Sequence, residues 1–356
     1  MAAREPLPPL DLGPGQHVWR LGGEVLSVRL GVRAVVVTGL LVLVALVVAV
    51  LALSLGDYVV PAADVLRALT GALDGPARTV VVDWRLPRVL LALLLGAALG
   101  TSGAIFQSLT RNPLGSPDVI GFASGSYTGA LVAMLVVGGG YGAVVGGSLI
   151  GGIVTAAVVY LLAYRGGVQG FRLIVVGIGV SAMLGSVNTW LVLQAELEQA
   201  MMAAVWGAGS LNALGWPQVG PTVALLVVLT PVLVALGRRA ALLEMGDDAA
   251  HALGLRPELT RLALVLVGVG LTALATAVAG PIAFVSLAAP QLARRLTHGS
   301  GVGLLPAAAM GALLLLVSDV LAQRAFAPTQ LPVGVVTVSI GGAYLVWLLV
   351  REARRQ

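Results

Sequence analysis

Long apolar segments separated by short polar stretches dominate the chain. A membrane-spanning helix needs about 20 mostly apolar residues, and ten segments come close to this length. They cover roughly residues 33–55, 88–109, 118–137, 141–163, 172–193, 220–236, 262–279, 281–297, 303–324 and 332–350. The eighth is the weakest, because Gln291, Arg294 and Arg295 lie in its second half. The pattern predicts an all-α integral membrane protein with about ten transmembrane helices.

The composition agrees with this class and excludes others. The 356 residues are 58% hydrophobic and only 10% charged, against about 25% charged residues in soluble domains. With no cysteine in the chain, disulfides and cysteine-ligated metal sites are excluded. The net charge of +5 does not indicate nucleic-acid binding, because the arginines are scattered at the ends of the apolar segments.

The arginines also predict how the spans are oriented. With ten spans and the N-terminus inside, sixteen of the 21 arginines fall in cytoplasmic segments. Positively charged residues accumulate on the cytoplasmic side of membrane proteins. We therefore expect both termini to be cytoplasmic and the protein to lie in the plasma (inner) membrane.

Three regions follow from this topology. Residues 1–32 are predicted to be a loosely packed cytoplasmic tail without a cleavable signal, residues 33–350 the ten-span membrane domain, and residues 351–356 a cytoplasmic C-terminal tail. On the outer side, residues 56–87 contain a short helix at 61–70. Residues 194–219 form a surface segment in which Trp206 and Trp216 suit the membrane interface.

Two segments resemble each other weakly. Residues 102–114 (SGAIFQSLTRNPL) and 279–291 (AGPIAFVSLAAPQ) match at Gly103/Gly280, Ile105/Ile282 and Pro113/Pro290. In the predicted topology the spans that hold them run in opposite directions. The match therefore suggests an inverted internal repeat, which is typical of transporters.

The source of energy is constrained by what the chain lacks. Ion-coupled carriers usually keep carboxylates or histidines inside the membrane, whereas only Asp118 and Asp319 come near the predicted bilayer here. A nucleotide-binding P-loop needs a lysine, and the chain has none. If ATP drives transport, another chain must bind it, so this chain is not expected to be an enzyme.

Two polar motifs flank the second span. The segment RNPLGSPD at 111–118 cannot form one continuous helix, because Pro113 and Pro117 interrupt it. It is either an ordinary turn or an inner constriction. The segment WRLPR at 84–88 places Arg85 and Arg88 on the outer side, against the charge trend. They either contact lipid headgroups or bind acidic side chains of an external partner.

A cluster of carboxylates and a histidine occupies residues 242–257 (LLEMGDDAAHALGLRP). Asp247 is a good N-cap and Asp248 suits the first turn of a short helix, which Gly254 ends and Pro257 does not continue. Ala250 and Leu253 would share its apolar face. A metal site through His251 is the alternative, although one histidine makes it the weaker one.

These motifs resemble the iron–siderophore (FecCD/BtuC-like) permease family, which includes the vitamin B12 importer permease. The similarity runs from about residue 30 to the C-terminus, through residues 85–134, 242–255, 275–296 and 330–349. It is greatest to the enterobactin-type members. The resemblance implies a BtuC-like type II ATP-binding-cassette (ABC) importer: two permease subunits, two ATPase subunits that hold ATP and Mg²⁺, and an extracytoplasmic substrate-binding protein.

The resemblance also implies roles for individual residues. Arg85 and Arg88 would dock the binding protein. Arg324 would be the third docking residue, one position beyond the family's usual arginine position, which Gln323 occupies. The inner gate would comprise Asn112, Pro113, Leu114, Gln169, Gly170 and Phe171. ATPase coupling, within a segment at about 244–260, would use Glu244, Gly246, Asp247, Asp248, Ala250, Leu253 and Gly254.

The expected cargo is a ferric siderophore, of the catecholate (enterobactin) type, carrying Fe(III). Candidate pathway residues are weakly polar: Ser102, Gln107, Ser124, Asn188 and Gln291. The second permease would be a paralogue, giving a heterodimer, and the chain would also contact membrane lipid; no cofactor or metal is expected on this chain. The alternatives are a hydroxamate siderophore, haem or cobalamin as cargo, an ion-coupled carrier or channel, and a purely structural membrane subunit.

Overall fold

The computed structural model describes residues 16–21, 26–164, 170–299, 301 and 303–353. Two strands, β1 (Gln16–Leu21) and β2 (Leu26–Gly31), precede fourteen α-helices in these residues. The helices are α1 (Val32–Ser54), α2 (Ala62–Leu69), α3 (Pro76–Arg78), α4 (Leu86–Thr110), α5 (Phe122–Leu131), α6 (Tyr141–Ala163), α7 (Gly170–Gln194), α8 (Leu197–Gly207), α9 (Trp216–Glu244), α10 (Asp247–Ala252), α11 (Pro257–Ala279), α12 (Val285–Thr297), α13 (Leu304–Arg324) and α14 (Val333–Ala353). Short π-helical segments, Thr79–Arg85 and Val132–Val136, precede α4 and follow α5.

The two strands lie within the predicted cytoplasmic tail at 1–32, in the part of it that the structure describes. They pair antiparallel, with Gln16 opposite Gly31 and Leu21 opposite Leu26. Val18, Trp19 and Val28 are β-branched or aromatic residues, which favour strands. Span prediction by hydropathy is insensitive to such short segments, because they are much shorter than a membrane crossing.

Each of the ten predicted spans contains a helix, but the helices differ in length. Seven are long and apolar enough to cross a membrane: α1, α4 with its preceding turns, α6, α7, α9, α11 and α13. The apolar helices Phe122–Val136 and Val333–Trp347 are shorter. With 13 residues, α12 extends about 20 Å, less than the roughly 30 Å of a hydrocarbon core.

Glycines let α4 and α13 approach at backbone distance. A Cβ on Gly96 would lie 2.4 Å from the Gly311 carbonyl oxygen, and one on Gly100 would lie 2.2 Å from that of Ala307. Such small-residue contacts are the usual way in which transmembrane helices pack tightly. The pair α5 and α6 repeats the device, because a Cβ on Gly129 would lie 2.0 Å from the Gly147 oxygen.

The most deeply buried helices, α4 and α11, hold the bundle together. Ser102 of α4 donates to the Gly268 carbonyl of α11 at 2.7 Å, and its hydroxyl lies 2.8 Å from that of Thr272. By contrast, the side chains of α1, α7 and α9 are mostly exposed. The bundle therefore has an enclosed centre and apolar outer faces that suit lipid or another subunit.

The three residue pairs of the weak sequence repeat do not occupy equivalent local structures. Gly103 lies inside α4, whereas Gly280 ends α11 with a φ of 73°. Pro113 lies in a loop and Pro290 lies inside α12. The match between residues 102–114 and 279–291 is therefore one of sequence and not of conformation.

Candidate functional site

Three arginines line one cleft at the predicted outer face. The cleft has a volume of about 300 Å³. Its polar wall is formed by Asp57, Tyr58, Arg85, Arg88, Gln323, Arg324 and Gln330, and its apolar wall includes Ala52, Leu55, Val80, Trp84 and Val89. The structure thus brings together all three residues that the sequence assigned to docking, from opposite ends of the chain.

Arg88 is held by a buried carboxylate. Its Nε and Nη2 donate to the two oxygens of Asp319 at 2.9 and 2.8 Å, and its Nη1 lies 3.4 Å from Gln330 Oε1. The Asp319 side chain is 1% exposed and that of Arg88 is 15% exposed. Paired guanidinium–carboxylate bonds fix both position and orientation, so Arg88 has one defined pose in the cleft wall.

Arg85 is held by backbone carbonyls instead. Its Nη1 donates to Leu53 at 2.7 Å, and its Nη2 donates to Tyr58 at 2.7 Å. Leu53 belongs to the last turn of α1, whose final carbonyls have no partner within the helix. Arg85 therefore caps α1 and keeps its positive charge without forming an ion pair among the described residues.

Gln323, which occupies the family's usual third arginine position, has a structural role in this chain. Gln323 donates to Asp319 Oδ2 at 2.8 Å, so it supports the carboxylate that holds Arg88. Arg324, one residue later, still lines the cleft. No function was predicted from the sequence for Asp319, Gln323 or Gln330. Only the presence of an acidic residue in an apolar span could have drawn attention to Asp319.

The predicted inner-gate residues that the structure describes lie in the loop between α4 and α5 and at the start of α7. Asn112 Oδ1 accepts the Leu114 amide at 2.9 Å, and Gln291 donates to the Pro113 carbonyl at 2.7 Å. Leu114 is 43% exposed and Phe171 is 78% exposed. Gly170 packs directly on Thr110, where a Cβ would lie 2.5 Å from the Thr110 Cα. Gln169 lies outside the described residues.

The same loop rises into the bundle and meets α12. Asp118 Oδ2 accepts from the Ser286 hydroxyl at 2.5 Å. Ser286 also packs against Gly103, which lies about 10 Å above the end of α4. Because Ser286 lies in the first turn of α12, Asp118 places its carboxylate where the helix dipole favours negative charge. This contact was not predicted from the sequence.

The coupling segment is a helix of one and a half turns beside the end of α9. Its N-cap is Gly246, with a φ of 112°, so Asp247 is the first helical residue. This corrects the prediction that Asp247 is the N-cap: its carboxylate lies 2.5 Å from Arg261 Nη2 instead. Gly254 ends the segment at a φ of 80°.

The two apolar residues of this segment face different ways, which corrects their predicted shared face. Ala250 is 0% exposed and packs within the chain near Leu243 and Leu264, whereas Leu253 is 59% exposed. Asp248, His251 and Gly254 are also exposed. A partner that contacts this segment would therefore meet Leu253 but not Ala250.

Contacts join the coupling segment to the gate loop. At the end of α9, Glu244 accepts from the Ser108 hydroxyl at 3.0 Å, and Arg111 donates to the Leu243 carbonyl at 3.1 Å. Arg111 directly precedes Asn112. Among the described residues, no three His, Asp or Glu side chains come together as a metal site.

The five pathway candidates lie at helix contacts or are largely buried within the described chain, and their role in the pathway stays a prediction. Ser102 and Gln107 are 0% and 3% exposed, and Gln107 donates to the Leu287 carbonyl. Gln291 is 7% exposed and lies between Pro113 and Tyr344. Ser124 is partly buried and lies 2.9 Å from Ser181, and Asn188 is 7% exposed.

Comparison with known proteins identifies the family. The model of the FecCD transport family matches residues 40–351. This chain belongs to the FecCD transport family. The family members that resemble this chain are permease components of importers. The chain is therefore a multi-pass membrane permease rather than an enzyme.

Individual family members match over nearly their whole length. The ferric enterobactin transport system permease protein FepG of Escherichia coli K12 is 52% identical over 91% of this chain and 98% of its own. A probable siderophore transport system permease, YfhA of Bacillus subtilis 168, is 35% identical over 87% and 93%. A metal-chelate type ABC transporter, solved in an inward-facing conformation, aligns with a TM-score of 0.77 and 26% identity over 89% and 99%.

Proposed function

We propose that this chain is a permease subunit of an ABC importer that moves a ferric siderophore of the catecholate type across the plasma membrane. The observation that carries the proposal is the 52% identity, over 98% of its length, to a permease of ferric enterobactin transport. Fe(III) is the cargo's metal. ATP and Mg²⁺ are bound by separate ATPase subunits, since a chain without lysine cannot form a P-loop.

In this proposal the outer cleft receives the substrate-binding protein. Arg85, Arg88 and Arg324 face Asp57 and Asp319 there, which leaves a net positive charge. A carboxylate of the binding protein would replace water around the guanidiniums, with Arg88 already oriented by Asp319. Pre-orientation lowers the entropic cost of such a contact.

On the cytoplasmic side the exposed face of α10 would seat in an ATPase subunit. Movement of α10 would reach α9 directly, then α4 through the Ser108–Glu244 and Arg111–Leu243 bonds. The next residues along the chain are Asn112 and Pro113, the predicted gate. The proposed mechanism is thus a rigid-body shift of α9 and α10 that displaces the loop following α4.

The pathway would lie between two permease subunits. Ser186 and Thr189 of α7 and Ser339 of α14 are exposed and bond to their own helices. Such a wall offers hydroxyl groups without a tight binding site, which suits a large anionic cargo. The second subunit would be a paralogue of this chain.

Uptake measurements test the proposal. A strain that lacks this gene, complemented with the full chain, should accumulate radioactive iron from a triscatecholate complex and lose that accumulation when the ATPase subunit is inactivated. Iron from a hydroxamate complex, haem and cobalamin should not compete. Competition by one of these would identify a different cargo, while the proposal of an ABC importer permease would stand.

The second candidate function, an ion-coupled carrier or channel, makes the opposite prediction. The purified chain in liposomes should then transport the complex under an ion gradient without an ATPase. Transport under those conditions would overturn the proposal. The described part of the predicted spans contains two acids, the partly buried Asp118 and the buried Asp319, and each is already engaged by a partner side chain.

A further inference from the structure

Four arginines gather where α1 begins and where α12 and α14 end. Arg33 opens α1 and donates through Nε to the Leu296 carbonyl at 2.9 Å, at the end of α12. Arg294 and Arg295 lie in the last turn of α12, and Arg351 lies in the last turn of α14. All four residues are exposed. We call them the inner arginine cluster.

Two of these arginines share one aromatic ring. The guanidinium carbons of Arg295 and Arg351 each lie 5.3 Å from the centroid of Trp347, and that of Arg295 lies 5.7 Å from Tyr344. Cation–π contacts of this length hold a guanidinium in place without consuming its N–H donors. The two charges are consequently no more than about 11 Å apart, near the Debye length of about 8 Å in physiological salt.

The cluster has N–H donors without a protein partner and no counter-ion among the side chains that the structure describes. The four ion pairs found there involve Arg67, Arg88 and Arg261. Apart from the Nε bond of Arg33, no hydrogen bond joins a cluster guanidinium to a described residue. Like charges held this close repel one another unless an anion lies among them.

The surroundings of the cluster are apolar and exposed. Next to Arg33, Val32 and Val36 are 44% and 53% exposed, and Leu296 beside Arg295 is 45% exposed. Trp347 is 48% exposed, and tryptophan is enriched at membrane–water interfaces. Guanidiniums beside apolar side chains match an amphiphile with an anionic head and acyl tails, whereas an acidic soluble protein would leave the valines without apolar cover.

We propose that the inner arginine cluster is a binding site for an anionic phospholipid of the cytoplasmic leaflet. Its phosphate accepts hydrogen bonds from the Arg295 and Arg351 guanidiniums, which suit phosphate oxygens, and its acyl chains cover the exposed start of α1. Basic pockets between transmembrane helices on the cytoplasmic side bind such headgroups in other proteins. The site is separate from the outer cleft and from α10, so it does not depend on the proposed cargo.

Lipid-dependent stability tests the proposal. The full chain, purified in detergent with the subunits that accompany it, is heated with added phosphatidylglycerol, cardiolipin or phosphatidylcholine. We expect the anionic lipids to raise the unfolding temperature and to remain as adducts in native mass spectra, and phosphatidylcholine to do neither. The Arg295→Gln/Arg351→Gln variant should lose both effects.

Matched variants separate the site from general charge effects. Arg78→Gln removes an exposed positive charge at the predicted outer face and should keep the full lipid response. Arg294→Gln changes a side chain with no described bond, because the one side-chain bond that this residue accepts is at its backbone carbonyl. The variant should therefore fold and should weaken the lipid response. If the double variant does not fold, Arg294→Gln tests the site in its place.

Other results would overturn the proposal. An unchanged lipid response in both cluster variants would exclude the site. An equal rise in unfolding temperature with inorganic phosphate alone would identify a free-anion site instead. Loss of the ATPase subunit from the purified complex, with the lipid response intact, would make the cluster a protein contact.

Discussion

At the scale of single residues, the Arg88–Asp319 pair makes a specific prediction about stability. Asp319→Asn removes the charge that compensates a mostly buried guanidinium. Breaking a buried pair on one side costs about 3–5 kcal/mol, so the unfolding free energy of Asp319→Asn should fall by that order. The Arg88→Gln/Asp319→Asn double variant should recover part of the loss, because neither charge is then left alone. Chemical unfolding in detergent measures both.

The pair Arg67–Asp64 is a matched control on the same face. It joins the same kinds of residue at 3.2 Å, but the Arg67 side chain is 65% exposed. Exposed pairs contribute about 0–1 kcal/mol, so Asp64→Asn should leave stability nearly unchanged. Equal losses in Asp64→Asn and Asp319→Asn would show that burial does not determine the strength of these pairs.

Sequence predicted the arginines of the cleft but not what holds them. Arg88 stood out because a positive charge on the outer side opposes the usual bias. Asp319 lies 231 positions away, and hydropathy gives neither the rotation of α13 nor its neighbour. The same limit explains why the helix contacts of Ser102, Gln107 and Gln291 were not predicted. The sequence pattern of a weakly polar residue in a span is the same whether its side chain faces a pathway or bonds to the next helix.

At the scale of elements, α10 makes a prediction that separates folding from coupling. Ala250→Glu would bury a carboxylate among Leu243 and Leu264, which costs several kcal/mol, so folded protein should be lost. Leu253→Glu changes an exposed side chain, and stability should stay within about 0.5 kcal/mol, while uptake and retention of the ATPase are lost. Thermal unfolding, uptake and co-purification are measured for both. Normal uptake by a folded Leu253→Glu protein would remove α10 from the coupling role.

The elements also show where prediction from hydropathy stops. All ten apolar segments contain helices, because a backbone in lipid must satisfy its own hydrogen bonds. The eighth segment was predicted to be the weakest, and its helix α12 begins only at Val285, because Gly280 and Phe284 have φ values of 73° and 69°, outside the helical region. Pro113 and Pro117 did predict an interruption after α4. Its course beside α12 depends on Asp118 and Ser286, which lie 168 residues apart.

At the scale of the whole molecule, the distribution of arginine and the positions of the sites agree on one orientation. The cleft of Arg85 and Arg88 lies at the start of α4, whereas α10 and the inner arginine cluster lie at helix ends that the sequence places inside. The proposed docking from outside and the proposed ATP-driven coupling from inside require these faces to be separated by the membrane. Orientation is therefore the property on which both proposals depend.

Single introduced cysteines can test this orientation without background, because the chain has none. Asp74→Cys and Thr329→Cys place an exposed thiol at the predicted outer face, and His251→Cys and Gly299→Cys place one at the inner face. In right-side-out vesicles an impermeant maleimide should label the first pair at once and the second only after permeabilisation, while the unaltered chain remains unlabelled. Immediate labelling of His251→Cys with protection of Asp74→Cys would invert the topology. Equal labelling of all four before permeabilisation would mean leaky vesicles, and an intact-lumen marker in the same sample identifies that case.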